Sequence, residues 1–147
     1  MGGELGGKLK VLLVEDDAGD ARLLREAVHA AGYDCIIDHA TNGKDALEYL
    51  HCCGRSVDVV ITDINMHIMD GKELLKKIKT HHKLKGLHVA ILTTSNDEKD
   101  KLYCEMHGAS QFHIKPTDYD AYEQLIKNIF DFWMTLTFGA NHKNGDH

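Results

Sequence analysis

No part of this chain is apolar for long enough to cross a membrane. Runs such as VDVVI from Val57 have the length of a strand, and a span needs about 20 residues. The opening decapeptide, MGGELGGKLK, lacks the apolar core of an export signal, and its four glycines read as a flexible leader over residues 1–8. Positive charge is scarce: 17 Lys and Arg stand against 23 Asp and Glu, for a net charge of −6. That balance argues against a nucleic-acid surface, which carries a basic face. No two of the four cysteines, Cys35, Cys52, Cys53 and Cys104, have C-x-x-C spacing, and the adjacent pair is poorly placed to bridge. Scattered thiols without an export signal fit a reducing compartment, so the expected location is cytoplasmic. Histidine is plentiful at 11, but only His81 and His82 form a tight pair and no H-x-x-x-H lies on a helix face. The histidines therefore read as surface or packing residues.

The 147 residues suffice for one domain with a proper core and are too few for two. Strand and helix patterns alternate along them. LKVLLV, from Leu9, is a continuous apolar run that ends in Glu15, Asp16 and Asp17. Residues 18–31 then place Ala21, Leu24, Val28 and Ala31 at helical spacing until Gly32. Residues 33–39 read as a second strand, 43–52 as a helix and 56–62 as a third strand rich in β-branched residues. Gly71 opens a helix with a Leu74, Leu75, Ile78 stripe. LHVAIL from Leu87 is a fourth strand, followed by a polar loop and a helix to about His107. Residues 111–114 make a short fifth strand, and the single proline, Pro116, blocks its continuation. The last helix begins near Asp118 and carries Tyr122, Leu125, Ile126, Ile129 and Trp133 at three- and four-residue steps. Five β-α units with strands buried on both faces predict an α/β fold: a doubly wound parallel sheet in the order 2-1-3-4-5. The expected domain spans residues 9–138, and the polar residues 139–147 read as a mobile tail.

In such a sheet the functional crevice lies at the carboxyl ends of the strands. That rule gathers Glu15, Asp16 and Asp17 after the first strand, Asp63 after the third, Thr93 after the fourth and Lys115 after the fifth. Like charges about 4 Å apart repel by roughly 1 kcal/mol in water and by more when partly buried. The acids therefore need a cation, or one of them must take a proton. Lys115 supplies one positive charge, and a hard divalent ion with oxygen ligands supplies the rest; Mg2+ suits a site with few carboxylates and open water positions. A phosphoryl group on Asp63 would meet the ion, the Lys115 ammonium and the Thr93 hydroxyl, which are the charge-neutralising parts phosphoryl transfer requires. A single aspartate at a strand end is more often a turn former or a helix cap, the role expected of Asp17.

Together these segments resemble the response-regulator receiver family from about Leu9 to Trp133. LLVEDD is similar to its acidic-pair motif, VVITDINMHIMDG to its phosphoacceptor segment, ILTTS to its switch-threonine segment and FHIKP to its lysine segment. The resemblance implies a flavodoxin-like receiver fold with Asp63 as phosphoryl acceptor. It implies Mg2+ ligation by Glu15, Asp16, Asp63 and the backbone carbonyl of Asn65. It makes Thr93 the switch hydroxyl, Phe112 the aromatic that turns inward on activation and Lys115 the group that neutralises the phosphoryl charge. It also implies a cis bond between Lys115 and Pro116.

Two departures stand out. Glu15 replaces the commoner Asp, and His67 replaces the usual Pro, which is expected to loosen the turn after the acceptor without touching the chemical groups. Asn65 and Ser95 flank the site where water reaches the acyl phosphate. The implied function is a single-domain response regulator in a two-component phosphorelay. It would take its phosphoryl group from a sensor histidine kinase and signal to a protein partner, with no enzymatic activity beyond its own phosphorylation and dephosphorylation. The alternative is an unphosphorylated pseudo-receiver that only binds proteins. An Asp-nucleophile phosphatase is disfavoured, because the connections are too short for a cap insertion. Residues 130–138 hold Phe130, Phe132, Trp133, Met134, Leu136 and Phe138, more apolar residues than one buried stripe needs. They read either as a helix capping the core or as a homodimer interface. This ending, and the V-E-D-x-x-x-D-x-R-L-L start, resemble stand-alone regulators that serve bacterial phytochromes.

Overall fold

Alternation along the first strand decides the layering of the molecule. In β1 (Leu9–Val14), Val11 and Leu13 enter one core layer and Leu12 and Val14 the other, all of them buried. A strand buried on both faces needs a helix layer on each side. The computed structural model describes residues 7–139 and supplies both layers. After β1 come α1 (Ala18–Ala31), β2 (Cys35–Ala40), α2 (Gly43–Cys53), a 3-10 turn (Gly54–Ser56) and β3 (Val59–Thr62). Then follow α3 (Gly71–Thr80), β4 (His88–Thr93), α4 (Glu98–Met106), β5 (Gln111–Ile114) and α5 (Tyr119–Phe138). The five strands are parallel in the order β2-β1-β3-β4-β5, as expected from the sequence.

The α1 and α5 side buries Leu24, Val28, Ile126, Ile129, Phe130 and Trp133. The other side buries Ala46 and Leu50 of α2, Leu74, Leu75 and Ile78 of α3, and Cys104 of α4. Each fully buried large side chain contributes about 1.5–3 kcal/mol. Every helix starts at an Asp or Asn whose side chain accepts a backbone N–H of the first turn: Asp17, Asn42, Asp70, Asp97 and Asp118. Such a cap is worth about 1 kcal/mol, and it gives Asp17 the structural role expected of it. No helix among the described residues is long and apolar enough to cross a membrane. All four cysteines are free, and burial pushes the thiols of Cys35 and Cys104 up to about 11, which keeps them protonated.

Three local expectations are corrected. The second strand starts at Cys35 rather than residue 33, because the Tyr33 hydroxyl is drawn to α5, where it donates to Asp131 Oδ1 at 2.9 Å. The third starts at Val59 rather than residue 56, because Gly54–Ser56 coil into the 3-10 turn. Asp58 then accepts the Lys10 amide at 2.8 Å through its side chain. The Lys115–Pro116 peptide is trans, the form an X-Pro bond favours by about 0.5–1 kcal/mol. Of the six apolar residues at the end of α5, Phe130, Trp133 and Met134 are buried while Phe132, Leu136 and Phe138 are exposed. The leader and the tail, apart from residues 7, 8 and 139, lie outside the described residues.

Candidate functional site

Strand register assembles the site. Val14 pairs with Thr62, so Glu15 and Asp63 leave the sheet side by side, and the Asp63 amide donates to the Val14 carbonyl at 3.1 Å. Thr93 pairs with Ile114, and the Lys115 amide donates to the Thr93 carbonyl at 2.7 Å. The Lys115 ammonium then reaches three carboxylates: Glu15 Oε1 at 2.8 Å, Asp20 Oδ2 at 3.1 Å and Asp63 Oδ2 at 3.2 Å. The side chains of Lys115, Glu15 and Asp63 are only 9%, 5% and 10% exposed. The other Asp63 oxygen, Oδ1, accepts the Ile64 amide at 2.7 Å.

Burial controls the charges here. It pushes Glu15 above its ordinary value, against the pull of Lys115 and with help from the Asp63 charge. Burial alone would lower Lys115, but the hydrogen bond to Glu15 and attraction to Asp63 and Glu15 outweigh it and hold the ammonium above its ordinary value. Lys115 is therefore a fixed positive charge, and its three acids exceed it.

The other expected residues are placed as follows. Thr93 is fully buried at the end of β4, its hydroxyl oxygen accepting the Ser95 amide at 3.1 Å. The Ser95 hydroxyl turns away from the site and donates to Asp100 Oδ2 at 2.6 Å, beside the Lys72–Asp100 ion pair. Phe112 is half-buried against the α2, α3 and α4 core layer. Asn65 is exposed in the loop after Asp63. Asp16 lies outside the Lys115 cluster, with its Oδ2 3.9 Å from His67 Nε2. Asp20 is the member that sequence reasoning missed. It sits in the first turn of α1 and meets a lysine 95 residues away, so its only sequence signal is an acid at a helix start.

The loop from Ile64 to Asp70 is tied at both ends. The Gly71 amide donates to the Ile64 carbonyl at 2.8 Å, and the Gly43 amide to the Met69 carbonyl at 2.9 Å. A Cβ on Gly71 would stand 2.0 Å from the Asp63 carbonyl oxygen, so the α3 start packs directly on the Asp63 backbone and admits only glycine. With His67 in place of a proline, the turn is closed by backbone hydrogen bonds. The Met69 amide closes onto the His67 carbonyl at 2.8 Å, and these three ties hold the loop without a proline. His67 does not stand clear of the chemical groups, since its ring adjoins Asp16.

Oxygen donors in excess of positive charge fit a hard divalent ion. Glu15 and Asp63 come together as expected, but around the Lys115 ammonium. Among the described residues no three His, Cys, Asp or Glu side chains already converge on a common point for a metal.

The model of the response regulator receiver domain matches residues 11–127. The chain belongs to this family. Among relatives of the receiver domain, a probable methanogenesis regulatory protein of Methanothrix harundinacea is 30% identical over 128 residues, covering 84% of the chain and 83% of the relative. The response regulator Rcp1 of Synechocystis sp. is 29% identical over 137 residues, covering 88% and 92%. Among solved structures, the phosphorylated cyanobacterial phytochrome response regulator RcpA matches with a TM-score of 0.82 at 27% identity, covering 89% of the chain and 97% of that one. The Mn2+-bound form of Rcp1 matches with a TM-score of 0.78 at 27% identity, covering 85% and 94%. The chain is thus a receiver-domain response regulator of a two-component system, similar to Rcp1.

Proposed function

We infer that this receiver domain is a phosphoryl-accepting switch with Asp63 as its acceptor. The observation that carries the reading is Lys115, which brings a buried ammonium to Asp63 and Glu15 from a strand 52 and 100 residues further along the chain. A carboxylate oxygen of Asp63 attacks the phosphorus of a phosphohistidine. The new P–O bond forms as the P–N bond breaks, and the imidazole leaves with its electron pair. Lys115 neutralises charge gathering on the phosphoryl oxygens, a role suited to a preorganised, water-poor site. Thr93, the last residue of β4, supplies a hydroxyl that can turn toward the product. Phe112 can then fill the space Thr93 vacates. Asp16, Glu15, Asp63 and the carbonyl of Asn65 would hold a divalent ion, Mg2+ in the cell, which neutralises phosphoryl charge when bound.

The donor is a sensor histidine kinase, and the likeness to Rcp1 and RcpA supports one of phytochrome type. The exposed Phe132 and Leu136 stand four residues apart on one face of α5, which supports a homodimer through that helix or a downstream protein docking there. The cavity of about 700 Å3 beside Leu50, Arg55 and Leu84 precedes β3 and β4, at the sheet edge away from Asp63, so it offers this carboxylate no substrate pocket of a phosphatase. Incubation with acetyl phosphate and Mg2+ tests the reading by intact mass. A gain of about 80 Da, one HPO3, is expected in the wild type and not in Asp63→Asn. No gain in the wild type leaves the pseudo-receiver reading.

A further inference from the structure

His67 stands beside the metal-binding end of the sheet on a strained turn. Its carbonyl accepts the Met69 amide two residues on, at 2.8 Å, and the residue between them, Ile68, has φ of 70°. A three-residue turn with its centre at positive φ is rare and strained, and a β-branched side chain makes it more so. Nothing in the packing of Ile68 compensates, since its side chain is exposed. Such strain persists where the surroundings over-determine it, and it collects at functional sites. Here the loop is fixed on both sides by the ties at Gly43 and Gly71, and the product of the strain is the position of the residue before Ile68.

That residue presents an imidazole to Asp16. The two side chains approach to 3.9 Å, Nε2 to Oδ2. Two donors at about 2.1 Å from one ion, in adjacent octahedral positions, lie about 3 Å apart. The difference is about 1 Å, and the His67 side chain is 92% exposed and free to close it by rotation. Asp16 is the carboxylate of this site that the Lys115 ammonium does not hold, so it is free to share an ion.

We propose that His67 joins Asp16 as a direct ligand of the divalent ion and moves the site's preference from Mg2+ toward transition-metal ions such as Mn2+, Co2+ and Ni2+. An all-oxygen set suits Mg2+, whereas an imidazole nitrogen gains most from the ions further along the Irving–Williams order. The proposal rests on the metal site inferred above and adds one ligand to it. The ring also faces outward, so the ion becomes accessible from the β3–α3 loop side.

The test uses the whole chain with His67→Ala and Asp16→Asn, at a pH where imidazole is neutral. Pulsed EPR of the Mn2+-loaded protein reads coupling to a bound imidazole nitrogen, and titration calorimetry gives the ratio of Ni2+ to Mg2+ affinity. The expected result is nitrogen coupling in the wild type that disappears in His67→Ala while Mn2+ still binds. The affinity ratio should fall about tenfold in that variant. Every other histidine is common to both proteins, so the difference belongs to His67. Mn2+ bound without nitrogen coupling, and with an unchanged ratio, overturns the proposal and leaves the acidic site standing. Metal binding that Asp16→Asn does not weaken overturns both.

Discussion

The ammonium of Lys115 lies 3.2 Å from the carboxylate of Asp63, although β4 separates the strands that carry them. The lysine crosses the end of β4 to meet Asp63. It is buried, and its positive charge is fixed by the acids around it. A group added to Asp63 therefore enters a place where one cation is already in position and negative charge is in excess.

Asp16 stands outside the Lys115 cluster, so Asp16→Asn should remove a proposed metal ligand and leave the ion pairs of Glu15, Asp20 and Asp63 intact. Urea unfolding with and without Mg2+ checks this. The wild type should become more stable as Mg2+ is added, and Asp16→Asn should lose most of that gain. An equal Mg2+ gain in both proteins contradicts the ligand role.

Gly71→Ala tests the packing of α3 on the Asp63 backbone. Its Cβ would meet the Asp63 carbonyl oxygen, its carbonyl carbon and the Ile64 Cα, all within 3 Å, and backbone cannot swing aside as a side chain can. The expected cost is about 3 kcal/mol of unfolding free energy, read as a lower urea midpoint and at the upper end for overpacking. An alanine at exposed Gly86, where a Cβ meets nothing, is the control and should change little.

His113 gives a pH signature. Among the described residues its buried Nε2 has no hydrogen-bond partner, and burial lowers its pKa from 6.5. The unfolded chain then binds more protons in that window than the folded one. Stability from His113 is present above 6.5 and is lost as pH falls through its lower folded value. His113→Val should remove this loss and gain about 1 kcal/mol by deleting the unsatisfied nitrogen. Glu15 works in the opposite direction: its folded pKa is raised, so its contribution grows as pH falls and is lost as pH rises through the raised value. Comparing thermal or urea midpoints of wild type and variant across pH isolates the histidine.

The α5 face gives an association test. Phe132→Glu with Leu136→Glu alters two exposed side chains and leaves buried Phe130 and Trp133 in place. Sedimentation should show a concentration-dependent dimer for the wild type, strengthened by a phosphoryl mimic, and a monomer for the double variant at unchanged stability. A wild-type monomer at high concentration, with and without the mimic, removes the dimer reading.

Much of the site was legible because parallel sheets place their chemistry at strand ends. Once LKVLLV and VDVVI read as strands, Glu15, Asp63, Thr93 and Lys115 had to share an edge, and they do. Asp20 was not legible, because its meeting with Lys115 depends on how far the lysine reaches across the sheet end toward the start of α1, and no periodicity encodes that reach. The His67–Asp16 approach depends on a strained turn at Ile68, which sequence chemistry disfavours and therefore hides. Strand starts were misjudged for a related reason. Tyr33 and Asp58 suit a strand by neighbourhood, yet each side chain finds a partner elsewhere, Tyr33 on α5 and Asp58 on the Lys10 amide. At the end of α5, helical spacing could not say which of six apolar residues the core had room for.

Chemical reduction reads directly which carboxylate carries the phosphoryl group. Borohydride reduces an aspartyl phosphate to homoserine and leaves a free carboxylate untouched, so it marks the acceptor covalently. The protein is treated with acetyl phosphate and Mg2+, reduced, digested and sequenced by mass spectrometry. Phosphorylation of Asp63 gives homoserine at position 63 and nowhere else, and none without acetyl phosphate. Homoserine at Asp16 or Asp20, or unmodified aspartate at 63 after full treatment, would contradict it.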